Sequence, residues 1–147
     1  METFGLACFY GLTAVDDIRT KKVRILEIIV FGLIGIVIDF VLKPYSLKSI
    51  LGGVAVGVVM YLFSVITKEK IGKGDAWIVM VSGLYLGFMD TLIVVWLAFI
   101  LAAIYGLVAT QGHEDGMDME MPFVPFLLVS FLIEFTIGQL GGLILCG

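Results

Sequence analysis

The chain is divided into six apolar runs, and no segment between them is long enough to fold by itself. The runs are Thr3 to Val15, with the helix able to continue to Val23, then Ile25 to Leu42 and Leu47 to Thr67. A fourth follows Asp75 and ends near Met89, a fifth covers Thr91 to Thr110, and a sixth covers Phe123 to Cys146. Most are near the ~20 residues an α-helix needs to cross a bilayer. Within hydrocarbon the backbone must satisfy its own hydrogen bonds, which a helix does inside one segment. Composition closes the soluble alternative. Of the 147 residues, 61% are hydrophobic and 15% charged, against ~25% charged in soluble domains, and the mean hydropathy is +1.13. The expectation is an all-α polytopic membrane protein with six transmembrane helices, residues 1–147 forming one domain.

Met1-Glu2-Thr3 leads straight into apolar sequence, with no basic segment and no small-residue cleavage site. It is therefore expected to open the first membrane helix and not a removed signal peptide. Orientation follows from lysine and arginine. Arg19, Lys21, Lys22, Arg24, Lys68, Lys70 and Lys73 fall on one side, and only Lys43 and Lys48 on the other. Basic loops stay in the cytoplasm, so the first set is expected there and both termini outside. Gly53 and Gly57, Gly83 and Gly87, and Gly138 and Gly142 each form a GxxxG, a spacing that lets helix backbones approach closely in lipid. Cys8 and Cys146 lie at opposite ends, without a CxxC. They read as buried thiols, and neither a metal nor a cofactor is expected.

Acidic residues are costly in a membrane, so each needs an account. Asp17 ends the first run and Asp75 precedes the fourth, both on the basic side. Thirteen residues, Thr3 to Val15, precede the Asp16-Asp17 pair, and fourteen, Ala76 to Met89, separate Asp75 from Asp90. Each stretch rises about 20 Å as a helix, less than the ~30 Å of hydrocarbon. Both carboxylates are thus expected at a similar depth, below the cytoplasmic surface. Two neighbouring carboxylates share one proton. The ionised partner can deprotonate a water attacking a peptide carbonyl, while the protonated partner polarises that carbonyl. Taken singly, either aspartate reads as a helix cap or a partner of Arg19, Lys21 or Lys73. Gly72-Lys73-Gly74-Asp75 is a GxGD, whose glycines would let an extended substrate strand come close.

These segments resemble the type IV prepilin peptidases, a family of GxGD membrane aspartyl proteases. Asp17-Ile18-Arg19-Thr20-Lys21-Lys22-Val23 is similar to the family's first aspartate motif, and Gly72, Gly74 and Asp75 to its second. Ser82-Gly83-Leu84-Tyr85-Leu86-Gly87 looks like its glycine-bearing helix, and Met121-Pro122-Phe123-Val124-Pro125-Phe126-Leu127 like its Pro-Phe-x-Pro-Phe-Leu segment. Two positions depart: Arg24-Ile25 replaces a Pro-Asn, and Trp77 stands where a lysine often follows. The resemblance implies catalytic Asp17 and Asp75, and cleavage of the short basic leader of prepilin or pseudopilin precursors at the cytoplasmic face of a prokaryotic cell membrane. It implies no cofactor and no nucleic-acid partner. The cysteine-bearing part that accompanies N-methylation in longer members is not found, so a peptidase-only form is expected.

The loop His113 to Glu120 is acidic. It reads either as a solvated connection or, through Glu114 and Asp115, as an electrostatic lure for a basic leader; His113 reads as solvated. Glu134, midway along the sixth run, needs a proton or a partner on a neighbouring helix, and a substrate contact is a further reading. Glu27 can pair with Arg24, while Asp39 and Asp90 lie near the outer face. Two other classes fit the same aspartates: a small transporter using them as an ion relay, and a catalytically silent pilus or secretion assembly protein.

Overall fold

Proline is confined to the ends of the apolar runs, at Pro44, Pro122 and Pro125, so nothing in their interiors interrupts helical hydrogen bonding. The computed structural model describes residues 2–20, 24–42, 46–66, 72–111 and 123–146. They form α1 (Glu2–Thr20), α2 (Ile25–Leu42), α3 (Leu47–Ile66), α4 (Lys73–Thr110) and α5 (Val124–Cys146), with no strand among the described residues. The helices α2, α3, α4 and α5 are long and apolar enough to cross a membrane. Asp16, Asp17 and Arg19 crowd the end of α1 with charge. Along α2 only Ile28 and Gly35 are buried, whereas Phe40 is 81% exposed. Such a surface would drive aggregation in water and is the natural outer face in lipid.

The expected fourth and fifth runs are one element, so the described residues form five helices where six were expected. The expected seam, between Met89 and Thr91, is continuous helix because Asp90 alone does not stop one. The break lies at Gly87, with φ 74° and ψ −170°, a region open essentially to glycine alone. Two hydroxyls serve the freed backbone groups. Ser49 Oγ of α3 accepts a hydrogen bond from Phe88 N at 3.1 Å, and Thr91 Oγ1 donates to the Gly87 carbonyl.

After the break, α4 doubles back. A straight helix would carry Phe99 about 36 Å past Asp75. Instead the Phe99 ring lies 5.2 Å from that of Phe123, at the start of α5. Asp90, near the break, is within Coulombic reach of Glu134, farther along α5. The second arm of α4 therefore runs antiparallel to α5.

Among the described residues, α4 packs against each of the other four helices, and α3 packs against no helix but α4. At the crossing of α3 with α4 the backbones meet directly. A Cβ on Gly53 would stand 2.8 Å from Gly83 Cα, and one on Gly83 would stand 2.6 Å from the Gly53 carbonyl oxygen. Gly138 and Gly142 do not behave this way: a Cβ at either meets nothing within 4 Å. Their GxxxG faces outward, correcting the expectation that all three motifs pack helices. On the other side, Tyr85 donates a hydrogen bond to the Phe31 carbonyl at 2.7 Å, holding α2 against α4.

Gly83→Ala should therefore destabilise the protein by about 1–3 kcal/mol, the usual cost of overpacking, while Gly138→Ala should leave it unchanged. Thermal unfolding of both variants in detergent checks this, and equal midpoints would contradict the packing.

Candidate active site

The inward stripe of α1 is Leu6, Tyr10, Thr13 and Asp17, all buried, at the three- and four-residue spacing of one helix face. The facing stripe of α4 is Asp75, Ile78, Ser82 and Tyr85, also buried. Each stripe thus ends in a carboxylate at the same end of the bundle. Asp17 is 6% exposed and Asp75 9%. Asp16, one residue earlier and turned by about 100°, points away and forms an ion pair with Arg24 at 3.0 Å. Arg24 immediately precedes α2, so that helix starts beside the end of α1. Glu27 joins the same group, close to both Asp16 and Arg24.

Asp75 sits in the first turn of α4. Its N–H donates to the Gly72 carbonyl at 3.1 Å, and its side chain folds back toward Gly72. A Cβ on Gly72 would lie 3.0 Å from Asp75 Oδ2. The first glycine of the GxGD therefore leaves room for the carboxylate; its φ of −60° needs no glycine. Gly72 is exposed and Gly74 half-buried beside it.

Asp17 is oriented by α5. Phe123 caps that helix, its carbonyl accepting from Phe126 N at 3.0 Å and Leu127 N at 3.2 Å. Pro125 has no N–H to offer. The Val124 N–H, one of the unsatisfied donors of a helix start, donates to Asp17 Oδ2 at 3.2 Å. The Phe-Val-Pro start of α5 thereby delivers a backbone donor to a carboxylate more than a hundred residues away, with Val124 itself fully buried.

Asp17 and Asp75 lie within Coulombic reach of each other. The structure brings these two together and leaves other candidates apart. Glu134 lies near Asp90 and Tyr10, deeper in the bundle. Trp77 turns outward onto Tyr61 of α3, with ring centres 6.1 Å apart. Glu114, Asp115, His113 and the rest of the acidic loop lie outside the described residues, as do Lys21, Lys22, Lys68 and Lys70. Among the described residues, no three His, Cys, Asp or Glu side chains converge as a metal ion would require.

The sequence profile of the type IV leader peptidase family matches residues 4–107, which include both aspartates and the break at Gly87. The chain belongs to the type IV leader peptidase family. No curated protein and no solved structure matches it. Membership makes it a protease family member with prepilin-type proteins as its general class of substrate, and with apolar helices suited to a membrane.

Two features of this candidate site escaped the sequence. The Val124 donor is a backbone group and carries no side-chain signature. The contact of Tyr10 with Ser82 had a signal, since each lies seven residues from its aspartate. Asp17→Ala removes the acceptor for Val124 and should cost about 1 kcal/mol, as the loss of a helix cap does. Asp17→Asn retains a side-chain oxygen and should cost much less. Chemical denaturation of both variants distinguishes the cases; equal losses would argue against the cap.

Proposed function

We propose that the chain is an aspartic endopeptidase that removes the short basic leader of type IV prepilin-like precursors at the cytoplasmic face of a prokaryotic cell membrane. The observation that supports this reading is that two buried carboxylates, Asp17 and Asp75, from different helices lie within Coulombic reach of each other.

The chemistry needs water and one proton shared by the pair. The ionised carboxylate takes a proton from water as its oxygen attacks the scissile carbonyl carbon. The protonated carboxylate gives its proton to the carbonyl oxygen, forming a neutral tetrahedral diol. The diol then collapses: the C–N bond breaks, the nitrogen takes up a proton from the dyad, and a diol hydroxyl returns one. The pair ends with the single proton it began with. The hydrogen bond from Val124 keeps one oxygen of Asp17 fixed throughout, and the open edge at Gly72 and Gly74 is the approach for an extended substrate strand.

Six membrane crossings follow if α4 supplies two, one on either side of Gly87, and α1 crosses with its charged end at the cytoplasmic boundary. Arg19, Arg24 and Lys73 share an end with the aspartates, and Lys48 adjoins Ser49 at the Gly87 end. Basic residues favour the cytoplasm for the first end. The apolar second arm of α4 continues from Ile100 to Thr110, about 16 Å past the level of Phe99. That length supports a dyad set below the membrane surface. The acidic loop with Glu114 and Asp115 would draw in the basic leader from the same side.

Asp17→Asn and Asp75→Asn should each stop cleavage of a co-expressed precursor, because asparagine keeps the shape and cannot exchange the proton. Asp16→Asn should retain substantial activity, since its carboxylate serves Arg24. The measurement is the mobility shift and new N-terminus of the precursor. Normal cleavage by both the Asp17 and Asp75 variants would overturn the peptidase reading in favour of a transporter or silent assembly role.

A further inference from the structure

Tyr10 is fully buried, yet its hydroxyl is not idle: it donates to Ser82 Oγ at 2.6 Å. The Ser82 hydroxyl in turn donates to the Ile78 carbonyl one turn back, at 2.7 Å. That bond turns the Ser82 lone pairs toward α1. The Tyr10 ring is held between aromatic neighbours, 6.1 Å from Phe9 and 5.4 Å from Phe131 of α5. Neither end of the bond is therefore free to swing away.

The position of this bond matters more than its strength. Asp17 lies seven residues after Tyr10, and Asp75 seven residues before Ser82. Seven residues are close to two helical turns, about 10.5 Å along the axis, and return to nearly the same face. The two helices run in opposite directions, so equal offsets bring both carboxylates to one level and turn them toward each other. We propose that Tyr10 and Ser82 are positioning residues for the aspartate pair, their hydrogen bond setting the register of α1 against α4. The proposal rests on the peptidase reading above.

A register device is needed at this contact. Apolar helices in lipid gain nothing from the hydrophobic effect by choosing one axial alignment over another. A slip of one residue along α1 moves it by only about 1.5 Å but turns it by about 100°. Such a slip would withdraw Asp17 and present Asp16, which is committed to Arg24. The contacts of Gly53 with Gly83 align α3 with α4, and the Val124 bond aligns α1 with α5. The Tyr10–Ser82 bond joins the two helices that carry the aspartates.

The test uses the purified full chain, a prepilin-type precursor, and the variants Tyr10→Phe, Ser82→Ala, the double variant and Ser82→Thr, with Asp17→Asn and Asp75→Asn beside them. Both single variants should lower kcat about 10- to 100-fold, the scale of a small misplacement of reacting groups, with KM within about twofold. The double variant should be no worse than either single one, since one bond is lost in each case. Ser82→Thr keeps the hydroxyl and should restore most of kcat. Melting temperatures identify any loss that comes from unfolding, which would move activity and folded fraction together. Wild-type kcat in Tyr10→Phe and Ser82→Ala, with the aspartate variants inactive, overturns the positioning role alone. Losses that multiply in the double variant overturn the shared bond. Cleavage by the aspartate variants overturns the peptidase reading and this proposal with it.

Discussion

A carboxylate buried among apolar helices persists only where the protein gives it a partner or room, and the fold meets that demand twice at one end of the bundle. Asp17 and Asp75 stand at the ends of two facing stripes on α1 and α4. Neither helix alone could shelter its acid. Asp17 needs the start of α5 for a hydrogen-bond donor, and Asp75 needs the side-chain-free space at Gly72. The adjacent Asp16 shows the alternative outcome, an acid turned to the boundary and paired with a mostly exposed arginine.

The helix α4 makes this possible by touching all its neighbours. Its first arm is narrow where α3 crosses, with Gly53 against Gly83, so that the two backbones are in contact. Its break at Gly87 then returns the chain toward the end that holds the aspartates. The second arm meets α5 through Phe99 and Phe123, next to the Val124 donor. Polar groups released at the break are not left to lipid: Ser49 and Thr91 take them up.

The helical architecture was legible because lipid leaves few other solutions, and the limits of α2 were visible in residues Ile25 to Leu42 themselves. That Asp17 and Asp75 would share one end of the bundle could be read from their places at the ends of their runs. The break at Gly87 could not. Asp90 looks like the seam by polarity, whereas the seam is set by dihedral angles that glycine alone adopts readily. Gly138 and Gly142 read the same as Gly53 and Gly57, because a motif of small residues says that a helix can be approached and not that a partner is present. Arg24 reads as a partner for Glu27 one turn away, and the two are neighbours; the end of α1 adds Asp16 to the group, 3.0 Å from Arg24.

The central claim is that Asp17 and Asp75, and not Asp16, form one pair. Cross-linking in native membranes tests it most directly. In a chain with Cys8→Ser and Cys146→Ser, cysteines replace Asp17 and Asp75 in one protein and Asp16 and Asp75 in another. Both are treated with a short thiol-to-thiol reagent and read by mass spectrometry. The account predicts an efficient cross-link in the first protein and little in the second. A cross-link confined to the Asp16 and Asp75 positions, or none at either, would contradict it.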